Sequence, residues 1–202
     1  MFVLVAALAI LALRKYGAPA EGAGPGADAL ASEHSPSLGD AAAKVHVVEF
    51  LDPACETCAQ FYPVVKQMMI ENPGRIRLSV RHVAFHDGAD YVVRLLEASR
   101  AQDGYWQTLQ VLLQTQAHWA PHHTVRADLV DPIVAASGLD MTRLAADMKS
   151  PEVAERVARD RADAMALKVT ATPEFFVNGR TLPEFGYEQL RALVREELER
   201  SD

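Results

Sequence analysis

A mostly apolar, β-branched run, Val45–Leu51, is followed closely by the only two cysteines of this chain, Cys55 and Cys58. Such a run predicts a buried strand, and the apolar spacing after it predicts a helix from the cysteines to about Glu71. An alternating run at residues 76–80 predicts a second strand. Strand, helix and strand in this order form a β-α-β unit, so we expect a sheet that is at least partly parallel.

The remainder of the chain divides into a helical block and a short end with strands. Apolar residues recur with helical spacing over about residues 88–165. A strand at Glu174–Val177 then meets Asn178-Gly179, the strongest two-residue hairpin signal, and residues 180–182 return antiparallel. An amphipathic helix over residues 187–198 follows. The predicted fold class is therefore α/β, with β-α-β, inserted helices and then β-β-α.

Composition limits the classes of protein that the chain can belong to. Half of the 202 residues are hydrophobic and 23% are charged, which is typical of a globular protein. The formal net charge of −7 offers no basic surface to phosphates, so we expect no nucleic-acid partner.

The first forty residues differ in character from the rest. Residues 1–16 contain an apolar stretch shorter than the roughly 20 residues needed to span a bilayer, so they predict a signal peptide or an N-terminal anchor. Residues 17–40 are rich in Gly, Ala, Pro and Ser and predict a flexible linker. Residues 41–202 are the predicted folded domain. We therefore expect a periplasmic or other extracytoplasmic protein, either released or tethered by its N-terminus.

The two cysteines are three positions apart and lie at the predicted helix N-terminus. Free N–H groups and the helix dipole stabilise a thiolate there, and a thiolate is the nucleophile in disulfide exchange. Cys55 is thus the predicted nucleophile. Cys58, one turn further in, is positioned to attack a mixed disulfide formed at Cys55. No cofactor or metal is then needed, because the cysteine pair is itself the redox group.

Three other interpretations of the cysteine pair stay open at this point. A purely structural disulfide would close a very small loop and add little stability. A metal-binding or metal-resistance module would use both thiolates, but it needs further ligands, for which the loop histidines His118, His122 and His123 are candidates. A small-molecule enzyme related to glutathione transferases would not usually need the second cysteine.

The strand, the C-x-x-C pair, the helical block and the later sequence Ala171-Thr172-Pro173 together resemble the DsbA-like branch of the thioredoxin superfamily, over about residues 45–200. The resemblance implies a cis peptide bond between Thr172 and Pro173, in a loop that faces the cysteines. A cis turn there exposes main chain that can pair with an extended substrate peptide. An ordinary trans loop proline is the alternative.

The resemblance also assigns a role to Glu49, which lies six residues before Cys55. It implies a buried acid on the central strand that relays the proton of the Cys58 thiol. The alternative is an exposed acid at the edge of a strand.

The dipeptide between the cysteines, Glu56-Thr57, departs from the Pro-His of the best-known oxidant in that family. An imidazolium that would stabilise the Cys55 thiolate is missing, and Glu56 adds a negative charge beside it. Both changes raise the expected pKa of Cys55 and make the expected disulfide less oxidising.

The function that we predict is protein thiol:disulfide exchange with substrate proteins. A membrane-bound or soluble redox partner must recycle the cysteine pair. Whether the protein acts as an oxidase, an isomerase or a reductase does not follow from the sequence, because the partner and the compartment set the direction. We expect a monomer.

Overall fold

The structure is a computed structural model that describes residue 30 and residues 32–200. The predicted signal peptide or anchor, residues 1–16, and most of the predicted linker, residues 17–40, lie outside this part. Along the described chain, no helix combines the length and the apolar character needed to cross a membrane.

Five strands form one mixed sheet in the described chain, in the order β1-β3-β2-β4-β5. Strand β2 lies at the centre, parallel to β3 and antiparallel to β4. It is buried along nearly its whole length, as its apolar composition predicts. The strands are β1 (Ser37–Leu38), β2 (Val45–Leu51), β3 (Ile76–His82), β4 (Glu174–Val177) and β5 (Arg180–Thr181).

Within residues 32–200, eight α-helices accompany the sheet, and the six that lie between β3 and β4 form the inserted helical block predicted for residues 88–165. The α/β fold class predicted from the sequence is confirmed. The helices are α1 (Glu56–Glu71), α2 (Ala89–Ser99), α3 (Tyr105–Gln114), α4 (Gln116–Trp119), α5 (Ala127–Ala135), α6 (Met141–Asp147), α7 (Pro151–Ala166) and α8 (Tyr187–Arg200).

Strand β3 is longer than the alternation at residues 76–80 predicts. It continues through Arg81 and His82, which are both buried. Asp160 on α7 accepts a hydrogen bond from Arg81 Nε and another from the main-chain N–H of His82, each at 2.7 Å. Arg81 and His82 are polar residues at buried positions, so they break the alternating apolar pattern from which the strand is predicted.

Strand β1 differs from the prediction of a linker up to residue 40. Ser37–Leu38 pairs antiparallel with β3, and the hydroxyls of Ser37 and Ser79 are 2.6 Å apart. The folded part therefore begins before residue 41. A strand of only two residues is too short to show a periodic pattern, so it is recognised only by its pairing with a strand that is distant in sequence.

The two faces of the sheet carry different side chains of β2. Val47 and Leu51 join the main core together with residues of α1 and α8, whereas Val48 and Phe50 pack on the other face, against Ala164 of α7. Side chains alternate along a strand, so Glu49 shares the face of Val47 and Leu51, beneath the helix that follows the cysteines.

Candidate active site

A short turn, residues 52–55, connects β2 to α1 and places Cys55 at the N-cap position, directly before the first residue of the helix. The main-chain N–H of Cys55 donates to Asp52 O at 3.0 Å, and that of Ala54 donates to Asp52 Oδ1 at 2.8 Å. Cys55 caps the helix N-terminus with extended backbone angles, and its carbonyl accepts the first helical hydrogen bond, from Ala59. The predicted order, a buried strand followed by Cys55 and then a helix, is therefore confirmed.

Cys55 carries a free thiol whose surroundings stabilise the thiolate. A hydrogen bond from Cys58 is the main reason why the pKa of Cys55 falls from 9.0 to about 5. Burial opposes this shift, while a hydrogen bond from the Thr172 side chain and the main-chain N–H groups of Thr57 and Cys58 add to it. The helix N-terminus therefore acts as the sequence predicts.

Cys58 is fully buried and has the opposite character. Burial raises the pKa of its thiol well above the ordinary value, and the hydrogen bond to Cys55 and the charge of Glu49 raise it further. The pair is therefore asymmetric at neutral pH. One sulfur is a ready nucleophile and leaving group, and the other holds its proton.

Glu49 is completely buried in the centre of β2, so it is not an acid at a strand edge. Neither of its carboxyl oxygens has a hydrogen-bond partner within the described structure. Burial, and after it the charge of Cys55, raises the pKa of Glu49 to about 8. A carboxyl group with this pKa exchanges its proton near neutral pH, and its electrostatic effect reaches the thiol of Cys58.

The loop before β4 faces the cysteine pair. The peptide bond between Thr172 and Pro173 is cis. The thiol of Cys55 lies 3.2 Å from the main-chain oxygen of Thr172, although the two residues are 117 positions apart. The structure thus brings together Cys55, Cys58, Glu49 and the Thr172-Pro173 loop.

The dipeptide between the cysteines contributes less than its charge suggests. The side chain of Glu56 is exposed, and water screens its charge. Thr57 is half-buried and acts on Cys55 through its main-chain N–H. The pKa of Cys55 is therefore low despite the acidic neighbour. The comparison with a Cys-Pro-His-Cys pair stays a prediction.

Sequence reasoning missed the side chains that hold the turn before α1 in place. Gln116 Nε2 donates to Pro53 O at 2.7 Å and to Cys55 O at 2.8 Å. His123 Nδ1 lies 3.3 Å from Ala54 O. Both residues belong to the helical insertion, which therefore braces three successive carbonyls beside the redox pair. A single glutamine or histidine in a helical block carries no sequence signal for this role.

The histidines proposed as extra metal ligands do not assemble with the thiolates. His118 and His122 are exposed, and His123 packs its ring on His86, with ring centroids 4.7 Å apart. Within residues 32–200, no three His, Cys, Asp or Glu side chains converge so that they could hold a metal ion. The structure therefore gives no observation in favour of a metal-binding module.

Residues 31–196 match the sequence profile of the family described as thioredoxin, so the chain belongs to the thioredoxin family. The solved structure of a thioredoxin-like oxidoreductase from Silicibacter pomeroyi DSS-3 is similar, with a TM-score of 0.76 and 26% identity. That likeness covers 87% of this chain and 99% of the other.

Two named relatives extend the comparison. The thiol:disulfide interchange protein DsbA of Bordetella parapertussis is 28% identical over 187 residues, covering 89% of this chain and 84% of that protein. The Na⁺/H⁺ antiporter NhaA of Herminiimonas arsenicoxydans is 34% identical over 140 residues, or 69% of this chain. The chain spans about a fifth of the antiporter's length, since the match covers 22% of it. The fold, the cysteine pair and these relatives identify a DsbA-like member of the thioredoxin superfamily.

Proposed function

We propose that this protein exchanges disulfides with substrate proteins through Cys55 and Cys58. The observation that carries the proposal is the asymmetry of the pair: the pKa of Cys55 is lowered to about 5, while that of the buried Cys58 is raised. A purely structural disulfide does not require its two thiols to differ in pKa. A thiol:disulfide oxidoreductase uses it to decide which sulfur reacts with the substrate.

In the oxidising direction, a substrate thiolate attacks the sulfur of Cys55 in the Cys55–Cys58 disulfide. The bond between the cysteines breaks, and Cys58 leaves as a thiolate that takes up a proton. A second substrate thiolate then attacks the substrate sulfur of the mixed disulfide and expels Cys55. The substrate loses two electrons and the enzyme gains them. The low pKa of Cys55 makes it a good leaving group in this last step.

In the reducing direction the same steps run backwards, and Cys58 must lose its proton before it attacks the mixed disulfide. Glu49 is the group that we propose to accept this proton, because it is buried beneath the pair and has a pKa of about 8. A proton acceptor with a pKa close to the working pH is the most effective one.

The Thr172-Pro173 loop is the proposed binding site for an extended segment of the substrate. Thr172 O lies 3.2 Å from the Cys55 sulfur, so a peptide paired with this loop passes directly beside the nucleophile. Main-chain pairing gives affinity without requiring a particular sequence, which suits an enzyme that acts on many proteins.

The compartment, the reduction potential and the oligomeric state also belong to this proposal. The reaction takes place in the periplasm or another extracytoplasmic space, where a membrane-bound or soluble redox partner recycles the cysteine pair. The disulfide is less oxidising than that of a Cys-Pro-His-Cys enzyme, because Glu56-Thr57 supplies no imidazolium. The monomeric state that the sequence analysis expects is also part of the proposal.

Equilibration with glutathione buffers, read by alkylation of Cys55 and Cys58, tests the proposal directly. A reduction potential between about −180 and −270 mV would support the weaker oxidant, isomerase or reductase. A value of about −120 mV would show a strong oxidant, and the prediction that Glu56-Thr57 makes the disulfide less oxidising would then be wrong. A pair that never forms a disulfide would contradict the proposed function. A Cys58→Ser variant should trap a mixed disulfide with a substrate, and a Cys55→Ser variant should not.

A further inference from the structure

The carboxylate of Asp52 is completely buried, and the mechanism above makes no use of it. Its Oδ1 accepts the N–H of Ala54 at 2.8 Å. Its Oδ2 accepts the main-chain N–H groups of Phe85 and His86, at 2.7 and 2.9 Å, and the ring Nδ1 of His86 at 2.8 Å. Asp52 therefore ties the turn before α1 to the loop that follows β3.

The main chain of Asp52 contacts both redox cysteines. Its carbonyl accepts the N–H of Cys55 at 3.0 Å. Its own N–H is a hydrogen-bond donor toward the sulfur of Cys58 and lowers the pKa of that thiol, against the effect of burial. Anchoring the Asp52 side chain consequently fixes two main-chain groups that lie against the pair.

His86 supplies the side-chain partner of this buried carboxylate. Its side chain is 26% exposed, and its Nδ1 lies 2.8 Å from Asp52 Oδ2. The titratable groups that face His86 are Asp52 on one side and His123, stacked on its ring, on the other. His123 in turn lies near Ala54 O, so the stack is continuous with the turn. Leaving a buried carboxylate without a partner is costly.

We propose that Asp52 and His86 are positioning residues of the redox pair: their side-chain hydrogen bond holds the Asp52 main chain against Cys55 and Cys58 and stabilises the reduced form. This inference rests on the proposed function. A hydrogen-bond donor directed at a sulfur stabilises the thiolate or a thiol that shares its proton. If that donor is misaligned, the reduced form becomes less stable relative to the disulfide form.

The test compares His86→Leu with His118→Leu, a matched change at an exposed histidine of the helical insertion. Each protein is equilibrated with glutathione, where the disulfide enzyme and two glutathione molecules give the dithiol enzyme and glutathione disulfide. We expect His86→Leu to lower this equilibrium constant by about threefold or more, because the Asp52 main chain loses its alignment and its N–H no longer supports the sulfur of Cys58. His118→Leu should leave it unchanged.

His86→Gln, which keeps a side-chain donor for Asp52, should restore part of the equilibrium constant that His86→Leu loses. It also decides the matter if His86→Leu does not fold. Folded His86 variants that both keep the parental constant would overturn the inference while leaving disulfide exchange intact. If the parent forms no disulfide, the proposed function itself fails, and the two failures are therefore distinguishable.

Discussion

The thiol of Cys55 donates a hydrogen bond to the main-chain oxygen of Thr172, 3.2 Å away. The nucleophile is therefore covered by the loop along which a substrate peptide is proposed to lie. In the proposed function, a substrate peptide that pairs with this loop lies beside Cys55, so binding and reaction are coupled at this one contact.

The side chain of Thr172 also acts on Cys55, and its removal is testable. Its hydrogen bond helps to lower the pKa of the Cys55 thiol. Thr172→Val keeps the shape of the side chain but not the hydroxyl, so we expect the pKa to rise by about one unit. The pH dependence of the alkylation rate measures this change. Thr57→Val is the matched control, because Thr57 acts through its main-chain N–H, and an equal rise there would contradict the prediction.

Removing the Cys58 thiol should raise the pKa of Cys55 more than removing the Thr172 hydroxyl does. The hydrogen bond from Cys58 is the main cause of the lowered pKa of Cys55. The alkylation rate of the reduced parent should rise with pH through a midpoint near pH 5, since only the thiolate reacts. In Cys58→Ala the midpoint should move upward, toward that of an ordinary thiol. A parental midpoint above pH 8 would rule out the activated nucleophile.

Glu49 should make stability depend on pH. Its pKa is about 8 in the folded protein and 4.5 in an unfolded chain, so the folded state holds the proton over this interval. Its contribution is most favourable below about pH 4.5 and is lost as the pH rises toward 8. Glu49→Gln removes this loss. We expect the variant to be more stable than the parent at pH 8, by on the order of 3 kcal/mol, with little difference at pH 4.

Urea denaturation of the reduced proteins at both pH values measures the effect of Glu49→Gln. The matched control is Glu184→Gln, since Glu184 is exposed and its replacement should not change the pH dependence. If the stability of Glu49→Gln changed between pH 4 and pH 8 by the same amount as that of the parent, Glu49 would not be buried as a neutral acid, because the contribution of the Cys55 thiolate is common to both proteins.

The ion pair of Arg81 and Asp160 should be important for stability because both side chains are buried. Arg81→Met leaves Asp160 without its cation inside the fold, and we expect a loss of about 3–5 kcal/mol in the free energy of unfolding. Arg94→Met, which removes the exposed pair with Asp90, should cost less than about 1 kcal/mol. Chemical denaturation of both variants at pH 7 provides the comparison, and equal losses would refute the distinction.

Much of the site could be predicted because local patterns encode it. The apolar run of β2, the two cysteines at a helix start and the Asn178-Gly179 hairpin each occupy a few consecutive residues. The resemblance to the DsbA-like branch added the cis bond before Pro173 and a buried Glu49, both of which the structure contains. The expected effect of Glu56, a higher pKa of Cys55 than in a Cys-Pro-His-Cys pair, stays a prediction, since exposure of a side chain cannot be deduced from its charge.

The sequence by itself determined the order of strands and helices and the position of the reactive pair, because periodicity and turn residues act over short stretches of chain. Only the tertiary structure decided which groups surround that pair. Thr172 and Gln116 reach Cys55 from 117 and 61 positions away, and Asp52 meets His86 across 34. Such contacts depend on how the insertion and the loops pack on the sheet, and no local pattern records them.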